Sequence, residues 1–280
     1  MPLIRKDQTN MTSPSQLAAT PSQFESLAPQ HLFSLKDQIV MITGAAGGIG
    51  GALARGFAAA GAKLIACDLN PRVHELAAQW RESGMHVESI AFDVTNEEEI
   101  AKAFEKVIAL HGRLDVLINN AGVIVRTPFL QLKREEWQKV IDTDLTACFL
   151  MAQHAAQLMV KQGSGRIVHL SSIMNHVARP NLVPYVVAKG GVSALTRAMA
   201  ADLAGTGVTV NALAPGYTHT EFSQAKDAEF NAFVSGWTPN RRWGQPEDLC
   251  GAALLLSSGA GAYINGQTLY VDGGFLAVTR

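Results

Sequence analysis

Charge and cysteine are both scarce in this chain of 280 residues. Only 17% of it is Asp, Glu, Lys or Arg, against about a quarter in ordinary soluble proteins. So little charge leaves less solvated surface than a monomer needs, which points to a face buried between subunits. The charge that is present balances, 23 basic against 24 acidic residues, for a net of −1. Nothing there supplies the clustered positive charge that a nucleic acid or an anionic membrane requires. Cys67, Cys148 and Cys250 are far apart, with no CxxC or zinc spacing. They read as reduced core residues of a cytoplasmic protein, and no metal is expected. No apolar run reaches the roughly 20 residues of a membrane helix.

The chain changes texture near residue 33. From Met1 to Gln30 it is rich in Ser, Thr, Pro and Gln and has no sustained hydrophobic period. Arg5 and Lys6 are not followed by a continuous apolar stretch, so no secretory signal is expected. Residues 1–32 read as a flexible extension, or as an arm that orders on a neighbouring subunit. Beyond Phe33 short apolar runs alternate with helical patterns. Strands are expected at 39–42, 63–67, 87–92, 116–118 and 167–170, and helices at 50–60, 75–82 and from Thr95 to Leu110. Thr95 and Glu98 have the spacing of a capping box. Such alternation predicts a single α/β domain over 33–280, a doubly wound parallel sheet with helices on both faces.

The first strand runs into Thr43-Gly44-Ala45-Ala46-Gly47-Gly48-Ile49-Gly50 and then a helix. A backbone that must turn tightly and approach a pyrophosphate needs glycine there, and the helix N-terminus offers free N–H groups with partial positive charge. Gly44, Ala46, Gly48, Ile49 and Gly50 are therefore candidate dinucleotide contacts. Asp68 follows Gly50 by eighteen residues, at the end of the second strand. An acid at that place accepts from adenosine ribose hydroxyls and repels a 2′-phosphate. With no Arg or Lys in the loop, NAD(H) is expected over NADP(H). Leu69, Asp93 and Val94 sit where the adenine edge would lie.

Tyr185 and Lys189 are four apart at the start of a long helix, on one face. An ammonium beside a phenol favours the phenolate, which then takes a proton from an alcohol as hydride leaves its carbon. Ser172 precedes Tyr185 by thirteen residues at a strand end. Ser171 is its neighbour, and strand alternation allows only one of the two to face the site.

These segments, with Asn119-Asn120-Ala121-Gly122, Pro215-Gly216 and Val271-Asp272-Gly273-Gly274, resemble the short-chain dehydrogenase/reductase family over about 33–280. The resemblance implies a Rossmann-type sheet of seven strands, a nicotinamide cofactor and a homotetramer. It makes Ser172, Tyr185 and Lys189 catalytic. It puts Asn120, Ala121 and Gly122 along the cofactor cleft, with Pro215, Gly216, Thr218 and Thr220 toward the nicotinamide. One position departs from the pattern. Where the family carries an asparagine, seven residues after Trp137, this chain has Asp144. An aspartate there is expected to accept from Lys189, keep it protonated and weaken its pull on Tyr185.

Later segments are similar to the gluconate 5-dehydrogenase and 2-deoxygluconate dehydrogenase branch. A sugar acid or polyol substrate follows, with Arg126 or Arg179 placed to pair with a carboxylate. His176, Tyr217 and Arg242 are further substrate candidates, and Asn175, Asn181 and His219 could read hydroxyls. Residues 217–237, with Phe222, Phe230 and Phe233, are expected to form a lid. Two other readings stand beside this one. Reduction of 3-oxoacyl groups is opposed by Asp68, since that chemistry uses a 2′-phosphate cofactor. A non-catalytic dinucleotide-binding scaffold has only Asp144 in its favour.

Overall fold

The computed structural model describes residues 27–221, 223 and 227–279. Residues 1–26 of the expected extension lie outside them. Its last part is a helical turn at Pro29–Leu32, and Leu35 just beyond it is fully buried, donating its N–H to the Ala60 carbonyl.

Seven parallel strands form one sheet: β1 (Ile39–Thr43), β2 (Lys63–Asp68), β3 (Val87–Ala91), β4 (Val116–Asn119), β5 (Gly165–Leu170), β6 (Val208–Pro215) and β7 (Thr268–Val271). Their spatial order is β3-β2-β1-β4-β5-β6-β7. Central parallel strands are covered on both faces and so read as unbroken apolar runs rather than alternations. Ile39-Val40-Met41-Ile42 does this: Val40 and Ile42 enter one core, Ile39 and Met41 the other. The residue pattern marks β1 to β5, whereas β6 and β7 were expected only through the family resemblance.

Helices α1 (Gly48–Ala59), α2 (Arg72–Glu82), α3 (Glu97–His111), α4 (Arg134–Ile141), α5 (Ala147–Gln162), α6 (Val183–Asp202), α7 (Ala228–Trp237) and α8 (Cys250–Ser257) complete the fold. One core is built from α1, α2 and α8, through Phe57, Trp80 and Leu256. The other uses α3 and α5, through Phe104 and Met151, with Met199 of α6 packed against it. Among the described residues no helix is long and apolar enough to cross a membrane.

Several boundaries differ from expectation. α1 starts at Gly48, two residues early, with Gly47 as its N-cap. α2 starts at Arg72 rather than Glu75. The capping box falls one residue later than Thr95–Glu98. Asn96 accepts from the Glu98 and Glu99 N–H groups and donates back to Glu99, because the Thr95 hydroxyl is already committed to Asp93. Between α4 and α5 the helix widens into a π turn, Asp142–Thr146, which inserts a residue and turns a side chain inward.

The chain leaves β1 outward to β2 and β3, then returns to pair β4 beside β1. That reversal opens a crevice at the carboxyl ends of β1 and β4, where open α/β sheets hold ligands. Phe57, fully buried, anchors α1 under this crevice. Phe57→Ala should lower unfolding stability by about 3–5 kcal/mol, read from urea denaturation, and leave the far α3–α5 face packed.

Candidate active site

The crevice is braced from below by Thr43. Its hydroxyl accepts from the N–H groups of Asn120 (3.0 Å) and Ala121 (3.1 Å), while the Asn120 amide donates to the carbonyls of Thr43 and Gly44. The ends of β1 and β4 are thereby one unit. Gly44 is left-handed (φ +67°), and a Cβ on Gly50 would lie 2.1 Å from the Gly44 carbonyl oxygen. The α1 N-terminus carries no side-chain cap and no acid in its first turn. Open N–H groups and an unopposed dipole suit a pyrophosphate.

Asp68 closes one end of this loop, accepting from the Ala46 N–H at 2.9 Å and the Asn70 N–H at 2.8 Å. A carboxylate has about four acceptor positions, so two remain for ribose hydroxyls. Leu69 is exposed beside it, Val94 is buried, and Asp93 folds back onto Thr95. Thr220 lies over the loop, 3.5 Å from where a Gly48 Cβ would be. Gly216 donates to Val271, and the Thr218 hydroxyl donates to the Gly216 carbonyl. These residues fit a dinucleotide laid across the carboxyl ends of the strands.

At the other end, α6 presents Tyr185 and Lys189. Ser172, ending β5, hydrogen-bonds the Tyr185 phenol. Ser171 turns away, as alternation requires, and binds the Lys189 carbonyl (3.1 Å) and Ser193 (3.0 Å). The Lys189 Nζ lies 5.4 Å from the Tyr185 ring centre. It donates to the Leu170 carbonyl at 3.0 Å and pairs with Asp144 Oδ2 at 3.1 Å, both side chains being buried. Asp144 is aimed there by the π turn, and its Oδ1 accepts from the Val123 N–H at 2.7 Å. Gly122 is required beside it, since a Cβ would come within 2.9 Å of Oδ2.

Burial works against the Lys189 charge, but Asp144 and Tyr185 outweigh it and hold the ammonium above its ordinary range. Tyr185 departs from the lowered value expected. Desolvation raises it; Lys189 pulls down, Asp144 pushes up, and Ser172 and Arg126 only partly compensate. The apolar wall of Ile173, Met174 and Leu182, against which Tyr185 packs, causes the desolvation.

Arg126 is drawn down by burial and by Arg179 nearby, with Tyr185 opposing, so the Arg126 guanidinium faces the phenol and Arg179 stands beside it. Arg179 also stands 3.7 Å over the Phe230 ring of α7. Phe230 and Phe275 pack edge-on against Tyr217, tying the segment over the site; Phe222 lies outside the described residues. Other candidates are engaged elsewhere. Arg242 forms a two-pronged pair with Asp248 beside a cavity of about 200 Å³ that Gly216 and Tyr217 also line. His176 is exposed and edge-on to Tyr270, Asn175 is held by Ser193 and Tyr270, and His219 tilts over Trp243.

A family model described as Enoyl-(Acyl carrier protein) reductase matches residues 44–276. The 5-keto-D-gluconate 5-reductase of Escherichia coli (strain K12) is 40% identical over 248 residues, 88% of this chain and 98% of that protein. The gluconate 5-dehydrogenase of Gluconobacter oxydans (strain 621H) is 39% identical, over 87% of this chain and 96% of its own. The solved gluconate 5-dehydrogenase from Burkholderia cenocepacia J2315, in complex with NADP and tartrate, superposes with a TM-score of 0.86. It is 38% identical and covers 89% of this chain and 99% of its own.

This chain belongs to the short-chain dehydrogenase/reductase family. It is an oxidoreductase of that family, with the Rossmann-type fold expected.

Two residues of this short-chain dehydrogenase/reductase were not singled out from its sequence. Thr43, the brace, is signalled only by a hydroxyl at a strand end before glycine. His169 is a fully buried polar residue in the strand Gly165–Leu170. The Asn119 Nδ2, which can only donate, meets its Nδ1 at 3.1 Å. Burial and Lys189 push His169 down to about 4. The glycine contact gives a direct test of the dinucleotide loop in this short-chain dehydrogenase/reductase. Gly50→Ala must push the Gly44 carbonyl aside, and should weaken dinucleotide binding at least about tenfold, about 1.4 kcal/mol, by fluorescence titration.

Proposed function

We propose that the chain is an NAD(H)-dependent dehydrogenase interconverting a secondary alcohol and a ketone on a sugar acid of the gluconate kind. The observation that carries this is the convergence of Ser172, Lys189 and Arg126 on one phenol, Tyr185. Catalytic roles fall to Ser172, Tyr185 and Lys189, with Asp144 behind the lysine. Gly44, Ala46, Gly48, Ile49, Gly50, Asp68, Leu69, Asp93, Val94, Asn120, Ala121, Gly122, Pro215, Gly216, Thr218 and Thr220 line the dinucleotide cleft. Bound there, the nicotinamide supplies hydride to, or takes it from, the carbinol carbon.

Tyr185 exchanges the proton at the substrate oxygen, taking it in oxidation and giving it in reduction. Ser172 donates to the same oxygen and fixes its distance from the phenol. Lys189 has a third N–H beyond those given to Leu170 and Asp144, which serves a ribose hydroxyl. Arg126, beside Arg179, takes the carboxylate, whose negative charge offsets the mutual repulsion of the two cations. The names of the Escherichia coli and Gluconobacter oxydans relatives support this substrate class. Asp68 supports NAD(H), although the Burkholderia cenocepacia relative was solved with NADP.

Residues 33–280 act as one catalytic unit of a cytoplasmic homotetramer, preceded by the extension 1–32. Exposed Phe149 on α5 and Val187 on α6 support self-association through those helices.

NADH formation followed by absorbance across sugar acids, polyols, steroids and hydroxyacyl thioesters tests the reading. Turnover should appear on sugar acids, and Tyr185→Phe should cost about 10²–10⁴-fold in kcat. Arg126→Ala should raise KM for the acids and leave polyols unaffected. NAD+ should exceed NADP+ in kcat/KM by about tenfold or more, and Asp68→Ala should narrow that ratio.

A further inference from the structure

We propose that Asp144 is a positioning residue that holds Lys189 as a paired cation, so that Tyr185 keeps its proton through neutral pH. Alcohol oxidation is thereby confined to alkaline conditions. The inference rests on Tyr185 being the acid/base, as proposed above.

The geometry leaves the ammonium little freedom. Of its three N–H groups, one goes to the Leu170 carbonyl at 3.0 Å and one lies 3.1 Å from Asp144 Oδ2. Apart from this ammonium, Oδ2 has no partner, and Asp144 is wholly buried. The other carboxylate oxygen is spent on the Val123 N–H, and Gly122 abuts the group with no room for a side chain. Neither oxygen is turned to solvent. The pair therefore exchanges no proton with water along the lysine side.

The remaining charged and titratable groups around the pair do not replace that balance. On α6 itself Lys189 faces Tyr185; from α5 it faces Cys148, whose thiol is held protonated by burial, up at about 12. From β5 it faces His169, which is neutral near pH 7 because burial and Lys189 push it down to about 4. On the substrate side Tyr185 faces Arg126, whose charge lowers the phenol less than Asp144 raises it. An ammonium beside a bare amide pulls on the phenol with its whole charge. Beside a carboxylate at 3.1 Å part of that pull is cancelled.

The consequence falls on the pH at which the limbs of the two profiles lie. In reduction the carbonyl carbon receives hydride from a reduced nicotinamide dinucleotide and the oxygen takes the Tyr185 proton. The phenolate left behind is reprotonated through the substrate mouth. Oxidation needs the phenolate at the start, which is scarce wherever the phenol holds its proton. The equilibrium constant of the reaction is untouched; only the ionisation limbs of the two profiles move.

The test is a titration of tyrosinate absorbance near 295 nm on the ligand-free protein, paired with pH profiles of kcat/KM in both directions. The chain has four tyrosines, and subtraction of a Tyr185→Phe variant isolates one of them. Wild-type Tyr185 should ionise no lower than the ordinary tyrosine range near about pH 10. Asp144→Asn should bring its ionisation, and with it the limbs of both profiles, down by about one pH unit. Asp144→Glu should restore part of the wild-type profile. A wild-type phenolate appearing below pH 8, or an Asp144→Asn titration identical to wild type, overturns the inference. The wild-type titration decides the first of these even if the variants fail to fold. Undiminished turnover in Tyr185→Phe would instead overturn the acid/base reading on which the inference rests.

Discussion

Lys189 carries a full charge in a place with almost no water, and the surrounding structure is arranged to satisfy it. An isolated ammonium in so dry a site would cost several kcal/mol. Here β5 gives the Leu170 carbonyl and the π turn gives the Asp144 carboxylate, while Ser171 ties down the Lys189 backbone on α6. Three elements that otherwise touch only through apolar contacts are thus locked at one atom. The same lock decides where Tyr185 stands, because the phenol is one helical turn before the lysine. Ser172 follows from it too: once Ser171 is committed to α6, alternation along the strand end turns the next hydroxyl to the phenol.

A second brace, Thr43 with Asn120, does for the cofactor end what the ion pair does for the catalytic end. It joins the carboxyl ends of the two strands that flank the reversal of strand order. The crevice between β1 and β4 is open because of topology, but its shape is fixed by hydrogen bonds to a threonine hydroxyl and an asparagine amide. Between the two braces runs the length that a dinucleotide spans, from Asp68 at one rim to Lys189 at the other. Above it, Arg179 over Phe230 links the α7 segment to the same wall that holds Arg126.

Much of this was legible beforehand, and the failures have physical causes. Strands β1, β2 and β4 announce themselves as short apolar runs. The sequence Val208–Pro215 of β6 is equally buried, yet it carries Thr209 and Asn211, whose polarity breaks the run. Asn211 is there because it closes the chain onto Ile264 and Gln267. Helix starts shifted by one to three residues because caps are chosen by competition: Asn96 wins over Thr95 only because Asp93 takes the threonine. At the site, the spacing of Tyr185 and Lys189 and the strand-end place of Ser172 made them candidates, and their roles came from the family resemblance. The upward displacement of Tyr185 could not be read, since it depends on Ile173, Met174 and Leu182 meeting around the ring. Nor could the engagement of Arg242 by Asp248, which a neighbour six residues away in sequence settles.

The π turn between α4 and α5 has a bearing on how this chain can vary. A helix advances about 100° per residue, and the wide turn absorbs one residue more than a regular helix would. Deleting any single position from Asp142–Thr146 would close the turn and swing the carboxylate of Asp144 off the lysine, while the flanking helices could still cover the sheet. The stretch 134–162 is therefore tolerant in residue type along its outer side yet intolerant in length. Insertions and deletions in descendants of this chain should collect in the loops on either side, never within it.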